Sequence, residues 1–181
     1  MYHDVFISGF GGQGILLAGQ LLAEAAMEKG LNVTFFPSYG VEMRGGTARC
    51  TVVISDQEIG SPIVDNPGCV IAMNQPSLLR FQEVLAEGGI LIVNSSLARA
   101  EDVTRNQIRV HNIPMSELAI ELGNARLTNM VAIGAYAQLS GAIEPGELAD
   151  ALKAVISTRN KELIPLNKEA IMEGAAYAAR C

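Results

Sequence analysis

The hexapeptide GFGGQG, residues 9–14, stands between a β-rich run, Val5-Phe6-Ile7-Ser8, and a helix-forming one, Ile15-Leu16-Leu17-Ala18. Glycines at 9, 11 and 14 have the spacing of a dinucleotide-binding turn, in which the chain leaves a strand, turns tightly and enters a helix. Working outward, Tyr2–Ser8 reads as a strand and Gly14–Lys29 as a helix stopped by Gly30. Val33–Phe36 is a second strand closed by Pro37, and Ala48–Ser55 is a third. Asp56-Gln57-Glu58 then turns into Ile59 and the GSPIV run, forming a hairpin over 48–64. Cys69–Met73 and Ile90–Val93 are apolar strands on either side of a helix at Pro76–Ala86, and Arg109–Ile113 is a last short strand. Helices follow at 116–122, 128–139, 145–156 and 165–179, punctuated by Pro145, Gly146 and Pro165. Continuous apolar strands between helices indicate a largely parallel sheet covered on both faces. The expectation is one Rossmann-like α/β domain over 1–181: a mostly parallel sheet with an antiparallel hairpin, helices on both faces and a helical C-terminal third.

Composition narrows the function. Of 181 residues 49 % are apolar and only 18 % charged, more apolar than an independent surface needs, so association with itself or with partners is expected. A net charge of −6 argues against nucleic-acid or anionic-membrane binding, both of which want a basic face. Met1-Tyr2-His3-Asp4 lacks the basic start of a signal peptide. The longest uncharged stretch, Leu127–Ile143, is interrupted by Thr128, Asn129, Gln138 and Ser140 and is too short for a bilayer span of about 20 residues. Three cysteines, at 50, 69 and 181, form no CxxC, and two histidines do not complete a set of four ligands, so no metal site is expected on this chain. Reduced thiols in a cytoplasm fit this usage.

The glycine loop admits two readings. In the first, the glycines let the backbone approach an anion while the following helix offers its N–H groups. In the second, Gly11 and Gly12 only let helix 14–29 pack against the sheet. A dinucleotide also needs an acid about 20 residues on to grip the ribose. Here that strand end reads Phe35-Phe36-Pro37-Ser38-Tyr39-Gly40, with no acid between Glu28 and Glu42 and no basic residue before Arg44. NAD and NADP are both disfavoured. A second glycine-rich stretch, SYGVEMRGGTARC at 38–50, carries Tyr39, Glu42 and Arg44 and should lie beside the first loop at the carboxyl edge of the sheet. Arg44, flanked by Gly45 and Gly46, suits a phosphate or carboxylate; an ordinary Glu42–Arg44 surface pair is the alternative.

Taken together, GFGGQG at 9–14, PSYGVEMRGGTA at 37–48, IGSP at 59–62, AMNQPSL at 72–78 and TNMVAIGAYA at 128–137 resemble the gamma subunit of the 2-oxoacid:ferredoxin oxidoreductases. The resemblance covers essentially the whole chain. It implies an enzyme that decarboxylates a 2-oxoacid oxidatively with thiamine diphosphate, passes electrons through iron–sulfur clusters to ferredoxin and forms an acyl-coenzyme A.

The same resemblance implies a division of labour. Thiamine diphosphate and its Mg are held by alpha and beta chains, and the clusters by beta or delta chains. In keeping with that, this sequence has no Gly-Asp-Gly to begin a thiamine–magnesium motif and no cluster ligands. No cofactor is therefore expected on this chain alone, and no catalytic residue; coenzyme A is the cosubstrate of the assembled enzyme. Gly9, Gly11, Gly12, Gln13 and Gly14 match the family's first loop, and Tyr39, Glu42, Arg44, Gly45 and Gly46 its second, both turned toward the partner chains and the coenzyme A region. EMRGG at 42–46 and IGSPIVDNPGCVIAMNQPSL at 59–78 look most like 2-oxoglutarate members. Pyruvate, branched-chain and indolepyruvate members remain alternatives, as do a stand-alone nucleotide-binding module and a scaffold whose loops hold only a partner.

Overall fold

The computed structural model describes residues 1–39 and 47–181. Six strands form one sheet: β1 (Tyr2–Phe10), β2 (Asn32–Tyr39), β3 (Thr47–Ser55), β4 (Cys69–Ala72), β5 (Ile90–Asn94) and β6 (Arg109–Ile113), in the order β2-β3-β1-β4-β5-β6. β3 alone runs against the rest, antiparallel to both β1 and β2, while β1, β4, β5 and β6 are mutually parallel. The helices are α1 (Ile15–Glu28), α2 (Gln75–Phe81), α3 (Met115–Glu121), α4 (Thr128–Ser140), α5 (Pro145–Asp150), α6 (Leu152–Val155) and α7 (Ile164–Ala178). None of the described helices is long and apolar enough to cross a membrane.

Strand residues sort alternately to two cores, as the period of two requires. Val5, Ile7, Cys69, Ile71, Ile90 and Ile92 face α1, α3, α4 and α7 in the larger core. Phe6, Val70, Ala72, Leu91 and Val93 face α2 and the chain around Leu85 and Ala98 in the smaller. β4 and β5 are buried along their whole length, so their sequences, CVIA and ILIVN, show no polar alternation. α1 is apolar nearly all round because it is sandwiched between β2–β3 and the helices α4–α6. Its Gly19 permits that approach: a Cβ there would lie 2.6 Å from Cys50 Sγ and 2.7 Å from the Phe35 ring.

The antiparallel hairpin differs from the expected one. β3 pairs with β2 and β1, and the stretch 59–64 after it forms no strand. β2 also continues through Pro37, which sits opposite Cys50 in the ladder. Its place on the edge strand explains this, because an edge leaves alternate N–H groups without a partner and so tolerates proline. The helix expected over 76–86 is regular only to Phe81, and that expected over 145–156 is divided at Ala151 into α5 and α6.

Candidate functional site

The chain leaves β1 toward β2 through α1 on one face, and leaves β4 toward β5 through α2 on the other. The carboxyl ends of β1 and β4 are therefore where the connections part, the crevice at which ligands of open α/β sheets bind. GFGGQG lies there. Gly9 and Phe10 complete β1, and the next residues turn into α1, which begins after Gly14 in a left-handed conformation (φ 72°). No side chain caps α1 and no acid stands in its first turn, so nothing on the chain's described side chains answers the positive end of a 14-residue helix.

The four glycines have separate duties. A side chain at Gly9 would strike Gln13 Oε1 and lie 2.9 Å from Met73 Cβ, and one at Gly14 would strike the Asn129 amide. Those two are packing positions. At Gly11 and Gly12 a Cβ would meet nothing within 4 Å, so the tip of the turn is open. Gly9 and Gly14, rather than Gly11 and Gly12, are thus the positions that packing requires to be glycine.

Gln13 is the loop's brace. Its Oε1 accepts from the Phe10 amide at 2.6 Å and from Asn74 Nδ2 at 3.3 Å, and its Nε2 donates to the Met73 carbonyl at 3.5 Å. Asn74 in turn caps α2, its side chain accepting from the Ser77 amide at 2.9 Å. Asn94, at the end of β5, donates to the same Met73 carbonyl at 3.2 Å and to Ser116 Oγ at 3.0 Å. From α4, Asn129 Nδ2 donates to the Gly14 carbonyl at 3.1 Å. The amides of Gln13, Asn74 and Asn129 thus tie the loop to the end of β4 and to α4, Asn94 of β5 shares the Met73 carbonyl with Gln13, and buried Asn94 Oδ1 has no donor among the described residues. Asn74, Asn94 and Asn129 were not legible as site residues. The one available signal was Asn74 before Gln75-Pro76, a helix-start pattern within a motif otherwise read only as family likeness.

Of the second loop, Glu42, Arg44, Gly45 and Gly46 lie outside the described residues, as does the side chain of Tyr39. The backbone of Tyr39 ends β2 opposite Ala48, and Thr47, where β3 begins, pairs with Phe10. Both flanks of the second loop are thus at the same sheet edge as the first. Among the described residues no three His, Cys, Asp or Glu side chains gather as a metal site. Cys50 and Cys69 are buried and Cys181 stands exposed at the far end of α7.

Comparison with known proteins agrees with this architecture. Residues 4–177 match the family model described as pyruvate ferredoxin/flavodoxin oxidoreductase. The chain is 38 % identical over 175 residues to the ketoisovalerate oxidoreductase subunit VorA of Methanothermobacter thermautotrophicus, a match covering 96 % of this chain but 36 % of that one. It therefore spans little more than a third of the length of that relative. To the 2-oxoglutarate synthase subunit KorC of the same organism it is 37 % identical over 182 residues, covering 95 % of this chain and 96 % of the other. Among solved structures, a keto/oxoacid ferredoxin oxidoreductase gamma subunit from Geobacter sulfurreducens superimposes with TM-score 0.87 at 26 % identity, covering 99 % of this chain and 98 % of that one. The 2-oxoglutarate:ferredoxin oxidoreductase of Magnetococcus marinus, solved with 2-oxoglutarate, coenzyme A and succinyl-CoA, superimposes with TM-score 0.89 at 25 % identity, covering 99 % of this chain and 31 % of that one. With a family match across nearly its whole length and this sheet order, the chain belongs to the pyruvate ferredoxin/flavodoxin oxidoreductase family, with the gamma subunits of 2-oxoacid:ferredoxin oxidoreductases as its like.

Proposed function

We propose that the chain serves as the gamma subunit of a multi-subunit 2-oxoacid:ferredoxin oxidoreductase that converts a 2-oxoacid and coenzyme A to an acyl-coenzyme A and carbon dioxide, with electrons passed to ferredoxin. 2-Oxoglutarate is the favoured substrate, since the KorC relative matches end to end. Ketoisovalerate is the second reading, supported by the VorA match. Thiamine diphosphate, Mg and the clusters belong on alpha, beta or delta partners, and the assembly works in the cytoplasm. In this reading the present chain supplies binding and shape, not a proton or an electron.

The observation that carries the reading is the open tip of the glycine loop at the point where the strand connections part, beside the uncapped start of α1. Backbone N–H groups there suit a phosphate of coenzyme A, and Arg44 from the second loop would complete the site with a planar fork. A hydrogen bond to a charged group contributes on the order of 1.5–3 kcal/mol, so Arg44→Ala in the assembled enzyme should weaken apparent coenzyme A affinity roughly 10- to 150-fold. Arg44→Lys should recover part of it, because a point charge cannot make the fork. Normal assembly of Arg44→Ala with unchanged coenzyme A affinity would refute the anion site. Failure to assemble would place Arg44 in a subunit interface instead.

A further inference from the structure

On the α2 face of the sheet, two guanidinium groups converge on one aromatic ring. Arg49 of β3 lies with its Cζ 4.5 Å from the Phe6 ring centroid and 5.5 Å from that of Phe81, and Arg80 of α2 lies 5.3 Å from the same Phe81 ring. The two rings brace each other edge to face at 5.9 Å and 85°. The ladder places Arg49 in a polar row, between Ser38 of β2 and Ser8 of β1. Ser8 in turn shares a hydrogen bond of 3.0 Å with Ser77 of α2. The pair therefore sits where the Arg49 side chain reaches from β3 over Phe6 toward α2, close to the carboxyl edge but on the face of the sheet opposite α1.

Such a pair is electrostatically unfavourable as it stands. Arg49 is half-buried, and both burial and the neighbouring Arg80 work against its charge. A guanidinium does not shed its proton in a protein, so the repulsion that the rings and solvent leave is one that an oxyanion would relieve. No ion pair among the described residues includes either arginine. A guanidinium held over a ring by its charge keeps N–H donors in its own plane, the groups that fork onto oxyanions. One carboxylate would satisfy one fork, whereas a dianion bearing three or more oxygens can answer two.

We propose that Arg49 and Arg80, braced on the Phe6–Phe81 pair, form a two-guanidinium site for a phosphate-class dianion between β3 and α2. The proposal goes beyond the functional reading above and does not require Arg44 or the glycine loop to touch coenzyme A. Inorganic phosphate is the probe. Thermal unfolding and titration calorimetry of the full chain would be followed against phosphate, with sodium chloride at matched ionic strength as control. Phosphate should raise the melting temperature saturably and beyond chloride. Arg80→Gln and Arg49→Gln should each weaken phosphate binding about tenfold or more. Without phosphate, Arg80→Gln should melt close to the unaltered chain, since the lost repulsion from Arg49 offsets the lost contact with the Phe81 ring. Arg80 is exposed, so this variant keeps the test valid even if Arg49→Gln, which deletes a packed stem, does not fold. A phosphate effect equal to that of chloride, or phosphate affinity unchanged in Arg80→Gln, overturns the proposal.

Discussion

Cys50 and Cys69 show how strongly position decides chemistry at a single residue. Both thiols are buried in the core on the α1 side, and Cys50 Sγ donates weakly to the Ile15 carbonyl at 3.4 Å. Burial raises both pKa values, that of Cys50 from 9.0 to about 12, because a thiolate there would lose its hydration. A thiol reagent at neutral pH should therefore modify one cysteine of the native chain, the exposed Cys181, and all three after denaturation. Rapid native modification of two or three would contradict this burial. The same groups shape an alkaline limit. The unfolded chain loses thiol protons near its unperturbed value while the folded chain keeps them, so stability is fully present below about pH 8.5 and falls as pH rises toward 12. Unfolding free energies measured at pH 8 and pH 10 should decline accordingly, and a Cys50→Ala variant should show a shallower decline.

At the scale of elements, the tightest contact is between α4 and α7. Gly134 and Gly174 face each other's helices so closely that a Cβ at Gly134 would strike the Ile171 carbonyl, and one at Gly174 the Val131 carbonyl. Backbone carbonyls cannot swing aside like a flexible side chain, so the two helices would have to separate. α4 has no polar face because α7, α3, α1 and β5 surround it, and its buried residues run without a break from Thr128 to Ala137. The small residues of TNMVAIGAYA thus serve an internal crossing, and the apolar character of this helix is explained without a partner chain. Gly134→Ala or Gly174→Ala should destabilise by about 3 kcal/mol through forced separation. Gly11→Ala, in open space, should cost little. Equal denaturant midpoints for Gly134→Ala and Gly11→Ala would rule out the close crossing.

For the molecule as a whole, the question is how far one chain can carry the proposed reaction. Its described residues hold the glycine loop in place with amides from several elements and offer no ligand set for a cluster. The purified chain should accordingly be colourless, free of acid-labile sulfide and inactive toward 2-oxoacids with ferredoxin. Activity should return on reconstitution with partner chains, with kcat/KM greater for 2-oxoglutarate than for ketoisovalerate. A brown chain that turns over alone would refute the assignment of cofactors to partners, and the reverse substrate preference would favour the second reading.

By itself the sequence determined what depends on near neighbours along the chain. Glycines at 9, 11, 12 and 14 mark the turn because a left-handed backbone at Gly12 (φ 96°) and Gly14 (φ 72°) is a local demand. Apolar runs such as ILIVN mark buried strands because burial on both faces removes alternation. Only the tertiary structure decided which strand pairs with which. Placing β3 between β1 and β2, and letting Pro37 pass along an edge, rests on competition among distant ladders that no local pattern records. The same holds for the site. Asn129 reaches Gly14 across 115 positions of sequence, and Arg49 and Arg80 share the Phe81 ring only because α2 packs on the sheet beside Phe6. Side-chain partners of this kind are chosen by packing in three dimensions, and the sequence names the residues without naming their neighbours.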